Sequence, residues 1–280
     1  MNEQAKKAQT LLSLHNNGRL LILPNVWNPI GARMLQAKGY SAVATASAAI
    51  AESLGYGDGE QLKLSTMLET VARIVRSVEI PVTADFEAGY SSTIEGLQQN
   101  ISLLLETGAA GINFEDSFDH SSRLRPISEQ VERIKAVREA AARKGIHLFI
   151  NARADSFFAE GFSTDEERIE DVITRSNAYI QAGADCVYPI GRGDRETLCI
   201  LRKRISAPIN VLASAKTASL KELQELGINR VSYGPYVFRS LLAKMSDMYD
   251  GIKNMGSNDI VMNGLWSGAD VKPFLIPGRE

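Results

Sequence analysis

The chain has 280 residues, 44% of them hydrophobic, with 31 Lys and Arg against 33 Asp and Glu for a net charge of -2. That balance, with no basic stripe, excludes a polyanion-binding surface, so no nucleic-acid partner is expected; the length suits one barrel of about 250 residues with its own core. Two cysteines, Cys186 and Cys199, with no CxxC pair, exclude a disulfide framework or zinc cluster and suit a reducing compartment.

Residues 1–18 are polar and charged, and His15 precedes the first apolar run. That run, 20–23, is too short to span a bilayer and lacks a signal-peptide layout, so no membrane partner and a cytoplasmic location are expected. Eight short β-rich runs then recur, at 20–24, 42–45, 81–85, 111–115, 147–152, 185–189, 208–212 and 230–233. Amphipathic helical stretches separate them, at 30–38, 64–77, 93–107, 128–144, 164–182, 194–205 and 219–226. In the stretch at 128–144, basic residues alternate with Glu129, Glu132 and Glu139, as on a solvated face. Gly39, Gly108, Gly145, Gly183 and Gly227 each follow a helical stretch, where a left-handed C′ residue ends a helix. Pro81 and Pro208 open strands, where a missing N–H is tolerated.

Strand–helix alternation repeated eight times predicts an α/β fold, a closed (β/α)8 barrel of TIM type. No GxGxxG follows the first strand, which argues against a dinucleotide-binding sheet. One domain over 1–280 is expected, with the barrel at about 20–240. A helical pattern at 238–252 opens an extra C-terminal segment, and 241–280 forms a tail. The tail's Ile260, Val261, Leu265, Trp266, Phe274 and Leu275 must pack either on their own barrel or on a neighbouring subunit.

A barrel's site is built from the C-terminal ends of its strands. At those ends stand Asn25 and Trp27, then Thr45, Ala46 and Ser47, Asp85 and Glu87, Glu115 and Asp116, Arg153 and Asp155, Pro189 and Ile190, Ser214 and Lys216, and Tyr233. Asp85 and Glu87, two apart at one strand end, present their carboxylates on one face, and Glu115 ends the next strand. Carboxylates converging on one mouth repel unless a cation or shared proton relieves them. Oxygen ligands without His or Cys favour a hard ion such as Mg2+ over the alternative, loop acids that are solvated or Arg-paired. Arg153 either clamps a substrate carboxylate or neutralises Glu115 or Asp155. The small residues at 45–48 leave backbone N–H groups open to an anion.

The series PNVWN at 24–28, TASAAIAESLGYGD at 45–58, TADFEAGY at 83–90, GINFED at 111–116 and NARADSF at 151–157 resembles the isocitrate lyase/phosphoenolpyruvate mutase superfamily. The likeness extends through GADCVYP at 183–189 and PINVLAS at 208–214, and so from about residue 20 to 240. It implies Mg2+, or Mn2+ in its place, bound directly by Asp85 and through water by Glu87, Glu115 and Asp58. It places the substrate carboxylate on Thr45, Ala46, Ser47 and Arg153, with Trp27, Asp85 and Asn210 completing the substrate set. It also implies a homo-oligomer, a dimer or tetramer that exchanges C-terminal helices. The implied reaction is Mg2+-dependent C–C cleavage or decarboxylation of a small 2-oxo or 2-hydroxy acid through an enolate.

Departures from the family mark a divergent member. Residues 117–125, SFDHSSRLR, hold neither the Cys of the lyases nor the Lys and Asn of the phosphonate mutases, and Glu87 stands where those relatives carry Asp. Phosphoenolpyruvate phosphomutase or phosphonopyruvate hydrolase chemistry is therefore the alternative, and a non-catalytic 2-oxo-acid binding protein the second. Glu115, Asp58, Arg153 and the loop residue His120 form the expected catalytic set. His147 opens a strand at the opposite end of the barrel, and Cys186 reads as core. Tyr188 and Tyr233 offer either proton donors or packing, and Arg123 and Arg125 either a lid or partners for surface acids.

Overall fold

The computed structural model describes residues 2–118, 122–254 and 256–276. Nine parallel strand segments make up the sheet: β1 (Leu21–Leu23), β2 (Asn25–Val26), β3 (Val43–Thr45), β4 (Val82–Asp85), β5 (Gly111–Glu115), β6 (Phe149–Ala154), β7 (Cys186–Pro189), β8 (Asn210–Leu212) and β9 (Arg230–Ser232). One ladder runs β2-β3-β4-β5-β6-β7 and the other β1-β9-β8. β1 and β2 are one strand interrupted at Pro24, which has no N–H for the ladder. At the other join, Val187 N–H donates to Pro208 O at 3.0 Å and Val187 bridges Ile209 in parallel. The two ladders therefore close into the eight-position barrel that the alternation predicts.

Each expected helix forms within a few residues of its predicted bounds, and the five glycines after helices have φ between 68° and 109°. Two helices exceed the expectation. Ser47–Ser53 turns the small-residue segment after β3 into a short helix. Glu3–His15 closes the N-terminal end of the barrel, burying Ala5, Ala8, Leu11 and His15. Its approach requires Gly111: a methyl group there would lie 2.9 Å from Leu11 Cδ2 and from the Phe149 backbone oxygen.

Helix Tyr236–Lys253 follows β9 as predicted. Beyond it the tail returns to its own barrel, where Arg33 Nε of helix Pro29–Ala37 donates to Phe274 O at 3.0 Å and Trp266 stacks on Phe274. Much apolar surface stays uncovered along this segment, including Leu241, Met245, Ile252 and Leu265. Among the described residues, no helix is long and apolar enough to cross a membrane.

Candidate active site

The C-terminal mouth is built around Asp85 at the end of β4. Its Oδ2 accepts the Ser47 N–H at 3.0 Å and the Ser47 hydroxyl at 2.8 Å, while its own N–H donates to Thr45 Oγ1 at 2.9 Å. Burial pushes the Asp85 carboxyl above its usual range, against the Ser47 bonds and the Arg153 charge. The Ser47 N–H of the small-residue turn is thus engaged by Asp85 instead of lying open to an anion. The Ser47 hydroxyl is also 3.3 Å from Asp58 Oδ1, which draws the exposed loop after helix Ser47–Ser53 to the same place.

Across the mouth, β5 and β6 bring Glu115 and Arg153 side by side in register. Arg153 Nη1 meets Glu115 Oε2 at 2.6 Å, and its Nε and Nη2 fork onto Asp155 at 2.7 and 2.5 Å. A Ser117 hydroxyl donates to Glu115 Oε1 at 2.6 Å. The neutralising role of Arg153 is realised with both acids, and two of its five N–H donors remain for a ligand. Burial pushes the Asp155 carboxyl up to about 7 even with this guanidinium beside it.

Glu87 departs from the expected common face with Asp85. β4 ends at Asp85, and Glu87 lies in a turn with φ 49°, its carboxylate aimed at the neighbouring loop. It accepts the N–H groups of Gly59 and Glu60 at 3.1 and 2.7 Å and the Tyr90 hydroxyl at 2.5 Å. Burial raises this carboxyl to about 7, and the charges of Asp85 and Asp58 add to the rise. Asp116, the second acid of the ED pair, turns away from the mouth. It is fully buried, accepting from Tyr179 OH at 2.6 Å, Arg175 Nη1 at 3.2 Å and the Asp155 N–H at 3.0 Å. That contact fixes the end of β6, and with it Arg153.

Two adjoining cavities occupy the mouth, of about 310 and 180 Å3, and share Ser47, Asp58 and Arg153. The larger adds Glu87, Glu115 and Asp155; the smaller reaches down the barrel axis to Asp85, Asn113 and Tyr188. Among the described residues, five carboxylates thus face two guanidiniums, Arg153 and Arg239, and Arg239 already pairs with Glu52. Among the described residues, no three of these side chains are arranged to cage an ion directly. The surplus of oxygen donors fits a cation held by one carboxylate and otherwise by its own waters, as Mg2+ is.

Other expected residues are placed elsewhere. Trp27 does not line either cavity; its ring packs edge-on against Phe238, 5.0 Å between centroids. Asn210 lies inside the barrel below the mouth, bonded to Ser232 Oγ. His120 falls outside the described residues. Arg125 is buried, paired with Glu129 at 2.5 Å and stacked on Phe118, so it pairs with an acid and is no lid. Arg123 lies over the same ring. Cys186 is core, its thiol pushed up to about 12 by burial, and His147 pairs with Asp185 at the opposite end.

The sequence reading missed a polar layer beneath the mouth. Asn151 Nδ2 donates to Asn113 Oδ1 at 2.7 Å, and the fully buried Arg230 reaches the same oxygen at 3.3 Å. For Asn113 and Asn151 the available signal was alternation, since each stands two residues before a charged residue at the mouth, Glu115 or Arg153.

A parallel barrel with acids and an arginine at its C-terminal mouth defines an enzyme of the TIM-barrel class. The sequence model of the family described as phosphoenolpyruvate phosphomutase matches residues 11–253, and the chain belongs to that family, within the isocitrate lyase/phosphoenolpyruvate mutase superfamily. A protein of Burkholderia cenocepacia J2315, provisionally called a phosphonomutase, is 37% identical with TM-score 0.83, over 88% of this chain and 99% of its own. The 2-methylisocitrate lyase of Aeropyrum pernix is 26% identical over 257 residues, 89% of this chain and 80% of its own. A phosphonopyruvate hydrolase in complex with oxalate and Mg2+ shares the fold at TM-score 0.83 and 22% identity, over 96% of this chain and 94% of its own.

Proposed function

We propose that the chain is a Mg2+-dependent lyase, with Mn2+ able to replace Mg2+, that cleaves or decarboxylates a small 2-oxo or 2-hydroxy acid through an enolate. The observation that carries this reading is the charge pattern: Arg153, with donors to spare, faces Asp85 in a mouth where five carboxylates outnumber two guanidiniums. Asp85 would hold the ion directly, with Asp58, Glu87 and Glu115 contacting its waters. Once bound, the ion supplies Lewis-acid stabilisation of charge on the 2-oxo oxygen. Arg153 would take the substrate carboxylate on its remaining N–H groups while Glu115 and Asp155 keep its plane fixed. Ser47 keeps Asp85 oriented and Thr45 holds its backbone. A cavity of about 180 Å3 along the axis suits an acid of a few carbons, with Tyr188 on its wall. His120 would serve as the proton donor, since the loop at 117–125 has no Cys or Lys.

The 37%-identical relative called a phosphonomutase favours a second reading, phosphonate chemistry, against which the loop's missing Lys and Asn count. Proton and phosphorus NMR with Mg2+ and oxaloacetate, 2-oxoglutarate, 2-methylisocitrate and phosphonopyruvate separates the readings. Pyruvate or another carbon fragment formed by intact protein, and absent with Asp85→Ala, supports the lyase. Phosphate or a phosphate ester from phosphonopyruvate supports the second reading. Binding without turnover of any of the four would overturn both in favour of a binding protein.

The protein is also proposed to form a homo-oligomer through helix Tyr236–Lys253 and the tail. Val237, Leu241, Met245 and Ile252 are exposed along that helix, at spacings that align them on one stripe. A second copy presenting the same stripe would cover it.

A further inference from the structure

Among the described residues, the non-glycine residues with left-handed backbone are Glu60 (φ 53°), Glu87 (φ 49°) and Tyr90 (φ 55°). L-residues rarely adopt this conformation, and it persists where the surroundings over-determine it. These three, from two separate loops, are bonded to one another. Glu87 Oε2 accepts the Gly59 and Glu60 N–H groups, and Oε1 accepts the Tyr90 hydroxyl. The Tyr90 N–H in turn donates to Glu60 Oε1 at 2.7 Å.

One side of this knot is fixed from behind. Arg133, 1% exposed, donates Nη2 to Ala88 O and Ser91 O at 2.6 and 3.0 Å. Asn100 Nδ2 donates to Gly89 O and Tyr90 O at 3.0 and 2.9 Å. Gly89 lets Leu97 approach, since a methyl group there would lie 2.5 Å from Leu97 Cδ1. The other side is the solvent-exposed stretch at 54–58, which leads directly into Gly59 and carries Asp58.

We infer that Glu87 and Tyr90 are positioning residues that anchor the loop bearing Asp58 over the mouth, and that the length of the Glu87 side chain is what makes this possible. Shortening it to Asp withdraws the carboxylate by roughly one C–C bond, about 1.5 Å. Bonds of 2.5 to 3.1 Å to two loops then cannot all be kept within hydrogen-bond range. The inference rests on the proposal that Asp58 serves the site, and it assigns the Glu87 carboxylate to the loop ahead of the waters of a cation.

The two roles predict opposite orders for two variants. Glu87→Gln keeps the length and a carbonyl acceptor; Glu87→Asp keeps the charge. Amide hydrogen exchange at Gly59 and Glu60, read without metal, should accelerate by about tenfold or more in Glu87→Asp and stay within about threefold of wild type in Glu87→Gln. Tyr90→Phe, which preserves the ring, should accelerate it by several-fold. Mg2+ affinity by calorimetry should follow the same order, with Glu87→Gln above Glu87→Asp. Unchanged exchange in Glu87→Asp overturns the inference, as does Mg2+ affinity that survives Asp and is lost with Gln. Absence of Mg2+ binding by wild type would overturn the proposed function instead, while the exchange comparison would still read the anchor.

Discussion

His15 closes the end of the barrel opposite the mouth, and its titration gives a measurable signature of the fold. The ring is fully buried, stacked on Phe149 with 4.1 Å between centroids, and its Nδ1 lies 2.8 Å from Leu11 O. Burial, with the Arg230 charge adding to it, lowers its pKa from 6.5 to about 3. The unfolded chain therefore takes up a proton below pH 6.5 that the folded protein refuses until about pH 3. Stability attributable to this group is complete above pH 6.5 and is lost as pH falls, by about 1.4 kcal/mol per unit. Over the whole window the loss is roughly 5 kcal/mol. His15→Phe keeps an aromatic ring on Phe149 and cannot titrate. At pH 7 it should cost about 1 kcal/mol for the lost hydrogen bond. By pH 4.5, two units below the unfolded value, wild type has lost roughly 3 kcal/mol from this source and the variant nothing. The two stability profiles should therefore cross near pH 6, as measured by urea unfolding between pH 7.5 and 4.5. Taking the difference between the proteins cancels the acids at the mouth, which titrate in both. Parallel profiles over that range would refute the account of His15.

Asp85→Ala should abolish Mg2+ binding by calorimetry while the thermal midpoint shifts by only a few degrees, because the loss of two Ser47 bonds is offset by removal of a buried charge. Arg153→Lys should weaken binding of the 2-oxo acid that the NMR panel identifies by about tenfold to hundredfold, since an ammonium cannot hold the Asp155 fork and a ligand carboxylate together. Leu241→Arg, at a half-exposed position on helix Tyr236–Lys253, should lower the light-scattering mass to that of one chain with the fold intact by circular dichroism; an unchanged mass would point to a different interface.

The barrel was legible because its signals were local and repeated. β5 occupies 111–115 as expected, since Gly108 ends the preceding helix and Glu115 meets the mouth. Helix Glu3–His15 carries a weak signal because eight of its 13 residues are polar or charged, although Ala5, Ala8, Leu11 and His15 fall at helical spacing. Asp85, Ser47, Glu115 and Arg153 were placed by the rule that strand ends face the mouth. That rule fails for Asp116, one residue past β5 where the chain has left the pleat, while Glu87, two past β4, lines the larger cavity but bonds to the loop at 59–60. Trp27 was misdirected for the same reason: beyond Val26 its direction is set by Phe238, more than 200 positions away.

The residues that escaped the pattern show how the mouth is assembled. An acid within a strand is aimed by the pleat, so Asp85 and Glu115 reach the cavities at no conformational cost. An acid beyond the strand must be held by partners: Asp155 is held by Arg153 of its own strand, while Asp116 and Glu87 each tie two elements together. Asp116 joins β5 to helix Asp165–Gln181 through Arg175 and Tyr179, and to β6 through the Asp155 N–H. Glu87 joins the turn after β4 to the loop at 59–60. The carboxylates of the two motifs therefore divide into a pair set directly at the ligand, Asp85 and Glu115, and a pair that fixes the frame, Asp116 and Glu87, of which Glu87 also lines the larger cavity. Only the first pair has its chemistry written in the residue type; the second depends on which neighbours lie within hydrogen-bonding distance. A variant of the first pair should change ligand affinity with the loops in place, and a variant of the second should loosen the loops before it changes the ligand.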